Sequence, residues 1–550
     1  MTRSPRKPSA PVDALAPASP APPLPPAPLG SRALLVALAA LAGVCMPLAG
    51  PDFDLWPLGW LLLAPLCYAI ERAPSLRHAV LLGWLAGAVA NAGGFYWIIG
   101  LLQRFAFLPL PVATLLFLLL AAYQGVVYLL FAWAVRRLRA EHGLPMALVA
   151  PLALVTFELT VPFLFPWYLA ITQAWQPRAI QLAELAGPLG VSALLALASG
   201  ALADLALDGR RRLRSSLVAA ALVLAALVYG HLRVEQVDRA IAAAPKIDVG
   251  VVQPNIAFDL KGLKRHDLAD EQVAALQARS RELEAAGADL IVWTESSFPF
   301  ALPRGLRRDP GVIKDGFDTP LILGAVTRDP KDPDAYPFNT ALLIDRAGNV
   351  AETYDKTFLL MFGEYIPFLD ALPWLRKVLP RAAGHFARGD RIVTFPLTLA
   401  DGTHVRLGPL ICYEDILPAF GRKLAPLHPH LLVNLTNDAW FGDTSEPWQH
   451  LALSVFRAVE LRTGLVRAVN TGVSALIDAT GRVTAKTYAV DPARDPRGAD
   501  KLLAPAALLE GGHTVYAAIG DLFGYACALA TLLLIAVPMW RRRRRQRRTR

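Results

Sequence analysis

A thiol, a carboxylate and an amine stand at comparable places in three apolar segments of this sequence. Cys412 lies near the end of GPLICYED, Glu295 near the end of LIVWTES, and Lys356 follows AETYD after a turn at AGN. Such segments read as buried strands, so each residue would project from the end of a rigid sheet into a pocket. A thiol becomes a good nucleophile when a neighbour removes its proton or stabilises the thiolate. A buried carboxylate with a raised pKa can take that proton. An ammonium can hold the negative charge that develops on a carbonyl oxygen under attack. Together the three residues make a complete acyl-transfer set. Taken singly, each also has a plain reading: a small core cysteine, a capping glutamate and a surface lysine.

The elements that must position these groups follow from composition. The chain has 550 residues, more than one ordinary core needs. It is 54% hydrophobic and 18% charged, with a mean hydropathy of +0.39, which places a large part of it in lipid. Residues 1–30, rich in Pro, Ala and Ser, read as a disordered cytoplasmic tail. Residues 31–235 read as a membrane bundle of about seven helices, 246–511 as a globular domain, 514–540 as a last span and 541–550 as an Arg-rich tail. Candidate spans begin near Ala33, Leu55, Ala79, Phe107, Met146, Pro188, Ser216 and Tyr516, about eight in all.

Basic residues set the orientation. Arg72 and Arg77, then Arg136, Arg137 and Arg139, then Arg210, Arg211, Arg212 and Arg214 mark every second loop, whereas the loops between hold little beyond Arg104 and Arg178. By the positive-inside rule both termini are cytoplasmic and the globular domain is extracytoplasmic. The net charge of +10 has eight of its positive charges in the final ten residues, RRRRRQRRTR. Beside an apolar run that is a topology anchor, so no nucleic-acid partner is expected. Of four cysteines, Cys45, Cys67 and Cys527 fall in apolar runs, and Cys412 alone lies in the globular part. An unpaired thiol in an oxidising compartment calls for a chemical reason.

Within the globular part, IDVGVVQ (247–253), LIVWTES (290–296), LILGAVT (321–327), ALLID (341–345), LGPLICY (407–413) and LLVNLTN (431–437) read as buried strands. A charged helical stretch from His266 follows the first. The alternation predicts a layered α/β domain. No Cys/His cluster with ligand spacing and no Gly-rich phosphate loop is present in it, so no metal or cofactor is expected.

The words around the three residues, WTES, YDKTFLLMFGEYIP, ICYEDILP and NLTNDAWFGDTSEPWQH, resemble the carbon–nitrogen hydrolase (nitrilase) superfamily. Within it they are most similar to the apolipoprotein N-acyltransferase family, and FGEY and NDAWFG together with the spans carry that narrower likeness. The resemblance implies an αββα sandwich on a polytopic helical bundle in a bacterial inner membrane. It implies Cys412 as nucleophile, Glu295 as general base and Lys356 as oxyanion stabiliser. Glu364 matches a second glutamate of the charge network, and Tyr413 and Glu414 match positions near the pocket. Asn437, Asp438, Trp440 and Phe441 match a segment that shapes it, the two aromatics by lipid contact or by core packing. His450, near a helix start, is not expected to be catalytic. The implied reaction moves an acyl chain from a membrane phospholipid, through a cysteine thioester, to the amine of a diacylglyceryl apolipoprotein. After QPNI the family carries an aromatic in a loop over the site. Here the stretch is AFDLKGLKRHD, with Gly262 near that place and Phe258 able to substitute.

Two other readings compete. A membrane-tethered amidase would use the same triad with water as acceptor. A transporter with a non-catalytic domain would need ionisable groups within its spans, and Glu158, Asp204 and Asp521 are the candidates.

Overall fold

The computed structural model describes residues 29–256, 266–366, 385–489 and 500–548. Its first part is helical: Leu29–Ala49, Leu63–Arg72, Leu76–Gly94, Trp97–Phe105, Leu110–Gln124, Val126–His142, Met146–Thr160, Ala183–Asp208 and Leu213–Ala243, joined at the far end of the chain by Leu522–Arg548. Alanine and leucine dominate these segments, and both lose little side-chain freedom in a helix. The bundle is apolar outside as well as inside: Leu115, Leu118, Leu119, Leu222, Leu224, Leu232, Leu529 and Leu532 are all more than half exposed. A continuous greasy exterior is a surface for lipid rather than for water.

Among the described residues, four helical runs are long and apolar enough to cross a membrane, or five if the pair Leu76–Gly94 and Trp97–Phe105, bent by 57°, counts as one. That falls short of the eight expected, for local reasons. The segment from Leu55 breaks into Leu58–Leu61 and Leu63–Arg72, and Met146–Thr160 has only 15 residues. The run from Ala183 to Ala243 counts as one although Gly209, with a φ of 54°, interrupts it.

The buried carboxylates of these helices are occupied with structure. Asp204 accepts from the Met146 and Ala147 N–H groups at 2.8 and 3.0 Å, capping Met146–Thr160 from a neighbouring helix, and pairs with Arg139 at 3.1 Å. Glu158 accepts from the Leu169 N–H at 2.8 Å, and Asp521 pairs with Arg422 at 2.8 Å. Asp204 and Asp521 are thus spent on ion pairs, whereas Glu158 keeps one buried oxygen without a hydrogen-bond partner among the described residues. Asp204→Ala is expected to strand Arg139 and two helix N–H groups and to cost ~3–5 kcal/mol. A melting temperature in detergent equal to the parent's would refute that role.

The remainder is a sandwich of two sheets. The strands are β1 (Lys246–Gln253), β2 (Leu290–Val292), β3 (Phe298–Pro303), β4 (Leu321–Arg328), β5 (Phe338–Ile344), β6 (Val350–Asp355), β7 (Phe395–Thr398), β8 (His404–Ile411), β9 (Leu431–Thr436), β10 (Gly464–Val469), β11 (Gly472–Ile477), β12 (Val483–Ala489) and β13 (Asp500–Ala507). The first sheet runs β13-β1-β2-β4-β5-β6 with β3 beside β4, and the second runs β12-β11-β10-β9-β8-β7. Each has three parallel strands at its centre, β1-β2-β4 and β8-β9-β10. Such strands are buried on both faces and read as continuous apolar runs, which made them legible.

Ile247, Val249 and Val251 share one core with Leu431, Val433 and Leu465 between the sheets. The outer face of the first sheet buries Ile291, Trp293 and Leu323 against Val273, Leu276 and Leu283 of the helix His266–Ala285. On the second sheet lies Glu446–Leu461, a helix buried along its whole length because the apolar bundle covers its far side. Helix, sheet, sheet and helix thus stack in four layers, with the bundle docked on the last.

Candidate active site

Strand ends set the three groups. Glu295 lies three residues past the end of β2, and Ser296 after it, with a φ of 50°, turns the chain away. The neighbouring β4 has Gly324 at that level, where a Cβ would come within 2.7 Å of the Glu295 Cα. Only a glycine lets the Glu295 turn lie so close. Lys356 directly follows β6, and its N–H donates to the Asn339 carbonyl on β5 at 2.8 Å.

Inside the sandwich the Lys356 ammonium sits between two carboxylates, 3.3 Å from Glu295 Oε1 and 2.8 Å from Glu364 Oε2. Asn339 bridges the same pair, its Nδ2 donating to Glu295 Oε1 at 2.8 Å and Glu364 Oε1 at 3.0 Å. The Leu360 N–H holds the other Glu364 oxygen at 2.8 Å. Asn339 has no counterpart among the sequence expectations. Its one signal is a polar residue opening the apolar run FNTALLI.

One buried ammonium between a buried and a partly exposed carboxylate governs the protonation pattern. Burial works against the Lys356 charge, but Glu295 and Glu364 outweigh it and hold its pKa well above the usual lysine range. Burial, with Glu364 adding to it, pushes Glu295 above the usual carboxylate range against the pull of Lys356 and Asn339. Burial and the Glu295 charge raise the Cys412 thiol well above its ordinary range, with Lys356 opposing. The site thus favours a neutral thiol near a carboxylate of raised pKa, an arrangement that can pass a proton from sulfur to oxygen as the sulfur attacks.

Cys412 stands at the tip of β8, at the start of a short 3-10 turn, with a φ of 51°. A non-glycine residue in that region costs ~1–3 kcal/mol, which the surroundings must over-determine. Asn434 Nδ2 donates to the Cys412 carbonyl at 3.2 Å. Glu414, fully buried, does more: its Oε2 accepts from the Ile411 N–H at 2.8 Å. Its Oε1 accepts from the Tyr354 hydroxyl at 2.6 Å, the Thr357 N–H at 2.8 Å, the Thr357 hydroxyl at 3.0 Å and the Phe358 N–H at 3.0 Å. One carboxylate thus ties the cysteine turn to the residues that follow Lys356. It is a positioning group, set back from the pocket.

The other expected residues join the sandwich to the bundle. The Tyr413 hydroxyl donates to the Leu164 carbonyl at 2.9 Å, and its ring meets Phe165 edge-on. Trp440 packs edge-on against Phe105 at 4.8 Å and Phe441 against Trp97 at 5.1 Å, while Arg104 donates to the Phe441 carbonyl at 2.7 Å. Both aromatics are therefore packed between the two parts. Asn437 lies further back: its Oδ1 accepts from Asn470, which in turn holds Ile256. His450 and Asp438 are buried together behind the cysteine turn. Phe258 and Gly262, where the lid aromatic was expected, lie outside the described residues.

Cys412 opens on a narrow slot between the two parts of the molecule. One wall is Tyr413, Ile416, Phe441 and Leu453 of the sandwich, and the other is Phe95, Trp97, Phe165 and Trp167 of the helical part. A thiol facing a slot this apolar suits a hydrocarbon chain better than a small polar amide.

Both parts of the chain resemble known proteins. Residues 42–201 match the family described as apolipoprotein N-acyltransferase N-terminal domain, and 315–489 match carbon–nitrogen hydrolase. The apolipoprotein N-acyltransferase of Geobacter metallireducens is 33% identical over 520 residues, spanning 92% of this chain and 95% of that one. The chain belongs to the apolipoprotein N-acyltransferase family. The Bdellovibrio bacteriovorus apolipoprotein N-acyltransferase is 32% identical, covering 82% and 85% of the two chains. Among solved structures, a Saccharomyces cerevisiae member of branch 10 of the nitrilase superfamily is 16% identical, with a TM-score of 0.33, covering 48% of this chain and 90% of that one. Lys356 and Cys412 fall within the carbon–nitrogen hydrolase match, and Glu295 lies ahead of it.

Proposed function

We propose that this apolipoprotein N-acyltransferase family member moves a fatty acyl chain from a membrane phospholipid to the N-terminal amine of S-diacylglyceryl-cysteine apolipoproteins, through a thioester on Cys412. The observation that carries this reading is that Cys412 lines a slot formed by side chains of the sandwich on one side and aromatics of the apolar bundle on the other. Glu295 takes the thiol proton as the sulfur attacks the phospholipid ester carbonyl, and Lys356 stabilises the oxyanion. The lysophospholipid leaves with the proton returned from Glu295. The lipoprotein amine then attacks the thioester, gives a proton to Glu295, and the amide forms as the thiol is restored. Glu364 and Asn339 hold Lys356 and Glu295 in register throughout.

The apolar bundle has its purpose in this reaction. Both substrates are held in the bilayer at ~0.8 kcal/mol per buried CH₂, so the site must come to them. We read eight spans in residues 31–235 and 514–540, with both termini cytoplasmic and residues 246–511 on the extracytoplasmic face. The basic loops and the apolar exterior support that topology.

Intact-protein mass spectrometry of detergent-purified protein incubated with phospholipid tests the reading. An acyl mass on the parent, absent from Cys412→Ala and discharged by a diacylglyceryl-cysteine peptide, is the expected result. An adduct discharged by water while the peptide stays unmodified would overturn transfer in favour of hydrolysis.

A further inference from the structure

Behind the cysteine turn lies a ring of charge with no place in the mechanism above. Asp415 comes from the turn itself, Asp438 from the end of β9, His450 from the helix Glu446–Leu461 and Arg467 from β10. Asp415 Oδ1 meets His450 Nε2 at 2.9 Å and its Oδ2 meets Arg467 Nη1 at 2.8 Å. Asp438 Oδ1 meets His450 Nδ1 at 3.0 Å and its Oδ2 meets Arg467 Nη2 at 2.8 Å. Ser454 adds a hydroxyl to Asp415 at 2.6 Å. The two carboxylates and Arg467 are fully buried, and His450 nearly so.

The circuit is closed: two anions alternate with two cations, and each of the four carboxylate oxygens has its own charged partner. Both imidazole nitrogens face carboxylates, so both must carry hydrogen and the ring is an imidazolium. A buried circuit of this kind is a poor source of net stability, because desolvation offsets most of the attraction. Its value lies in what it fixes. Asp415 is three residues from Cys412, and His450 lines the same cavity as Cys412.

We propose that Asp415, His450, Asp438 and Arg467 form a positioning circuit that pins the Cys412 elbow in its left-handed conformation and supplies a balanced electrostatic field at the sulfur. This rests on Cys412 being the nucleophile. The charges facing His450 are Asp415, Asp438, Arg467 and, at 3.7 Å, Glu446. Those acting on Cys412 are Glu295, Lys356, Asp438 and Glu364, and Cys412 in turn is among the groups that raise Arg467. Burial and Arg467 work against the His450 charge, but Asp415 and Asp438 outweigh them and raise it to about 10. Burial and Asp438 raise Glu446 well above the usual carboxylate range, with His450 and Arg467 opposing. The circuit is then neutral, and losing one member unbalances it with a definite sign.

The test is the pH dependence of Cys412 alkylation by iodoacetamide in the detergent-purified full chain, read by mass on the Cys412 peptide. His450→Gln leaves the circuit one charge negative. The alkylation midpoint should rise by about one pH unit, a rate about tenfold lower at a fixed pH below it. Asp438→Asn removes an anion, so its midpoint should stay or fall. Loosened packing alone would move both variants the same way. A rise in Asp438→Asn, or an unmoved midpoint in His450→Gln, overturns the proposal, and Asp438→Asn decides alone if His450→Gln does not fold. The assay needs no acyl donor, so it stays separate from the acyl-adduct experiment that tests the function.

Discussion

Glu295→Gln is expected to give a folded protein that melts at or above the parent's temperature near neutral pH and no longer loads an acyl chain on Cys412. The two halves of that result have one cause. Burial and the neighbouring Glu364 raise the Glu295 pKa, so the folded state takes on that charge less readily than the unfolded chain does. For a carboxyl raised on folding, stability is lost as pH climbs from the unfolded pKa through the folded one. Glutamine removes that cost while still offering an oxygen to Asn339. The gain in melting temperature should therefore vanish below the ordinary carboxylate range. Loss of the base should slow thioester formation by ~10²–10⁴-fold. In the parent, the acid limb of that step should lie above the usual glutamate range. Thioester formation within a few-fold of the parent's in Glu295→Gln would remove Glu295 from the mechanism.

Glu414→Ala is the substitution expected to do most damage to the fold around the site. Five donors on three segments converge on that one carboxylate: Ile411, Tyr354, Phe358 and both groups of Thr357. A buried donor left without a partner costs ~1–3 kcal/mol, and local collapse or entering water recovers only part. The variant should lose several kcal/mol of stability, and the protein that remains folded should be inactive because the Cys412 turn is no longer tied to the Lys356 strand. Glu414→Gln, which can still accept at one oxygen, should fall between the two. Thermal melting followed by intrinsic fluorescence, beside acyl transfer, checks both. A melting point for Glu414→Ala within about 2 °C of the parent's would show that the tie is dispensable.

What the sequence made legible follows from the range of the interactions involved. Buried parallel strands announce themselves as unbroken apolar runs, so β1, β4, β8 and β9 could be placed. Glu295 and Cys412 stood out as polar residues at the ends of such runs, whereas Lys356 follows the half-exposed antiparallel edge strand β6 and stood out through the words around it. Asn339 and Arg467 did not, because each sits inside a strand and takes its meaning from partners far along the chain. Glu414 was visible as a neighbour of the cysteine, but its five donors could not be read from order along the chain. Trp440 and Phe441 stayed ambiguous between lipid and core. The answer, packing against Trp97 and Phe105, lies in a different part of the molecule. The shorter helices were hardest: hydropathy saw one span from Leu55, where the chain makes two helices in succession.

Phe95, Trp97, Phe165 and Trp167 come from one half of this protein, and Cys412 and Tyr413 from the other, yet they line a single slot. The boundary between the two parts is therefore not a seam along which evolution or an engineer can cut. A sandwich excised from its helices would keep Cys412 and lose half the lining of the slot proposed above to take an acyl chain. A chimera that paired it with a relative's helices would inherit a new chain-length preference without any change at the reacting atoms. Fatty-acid selectivity in this family should track the ancestry of the helical half.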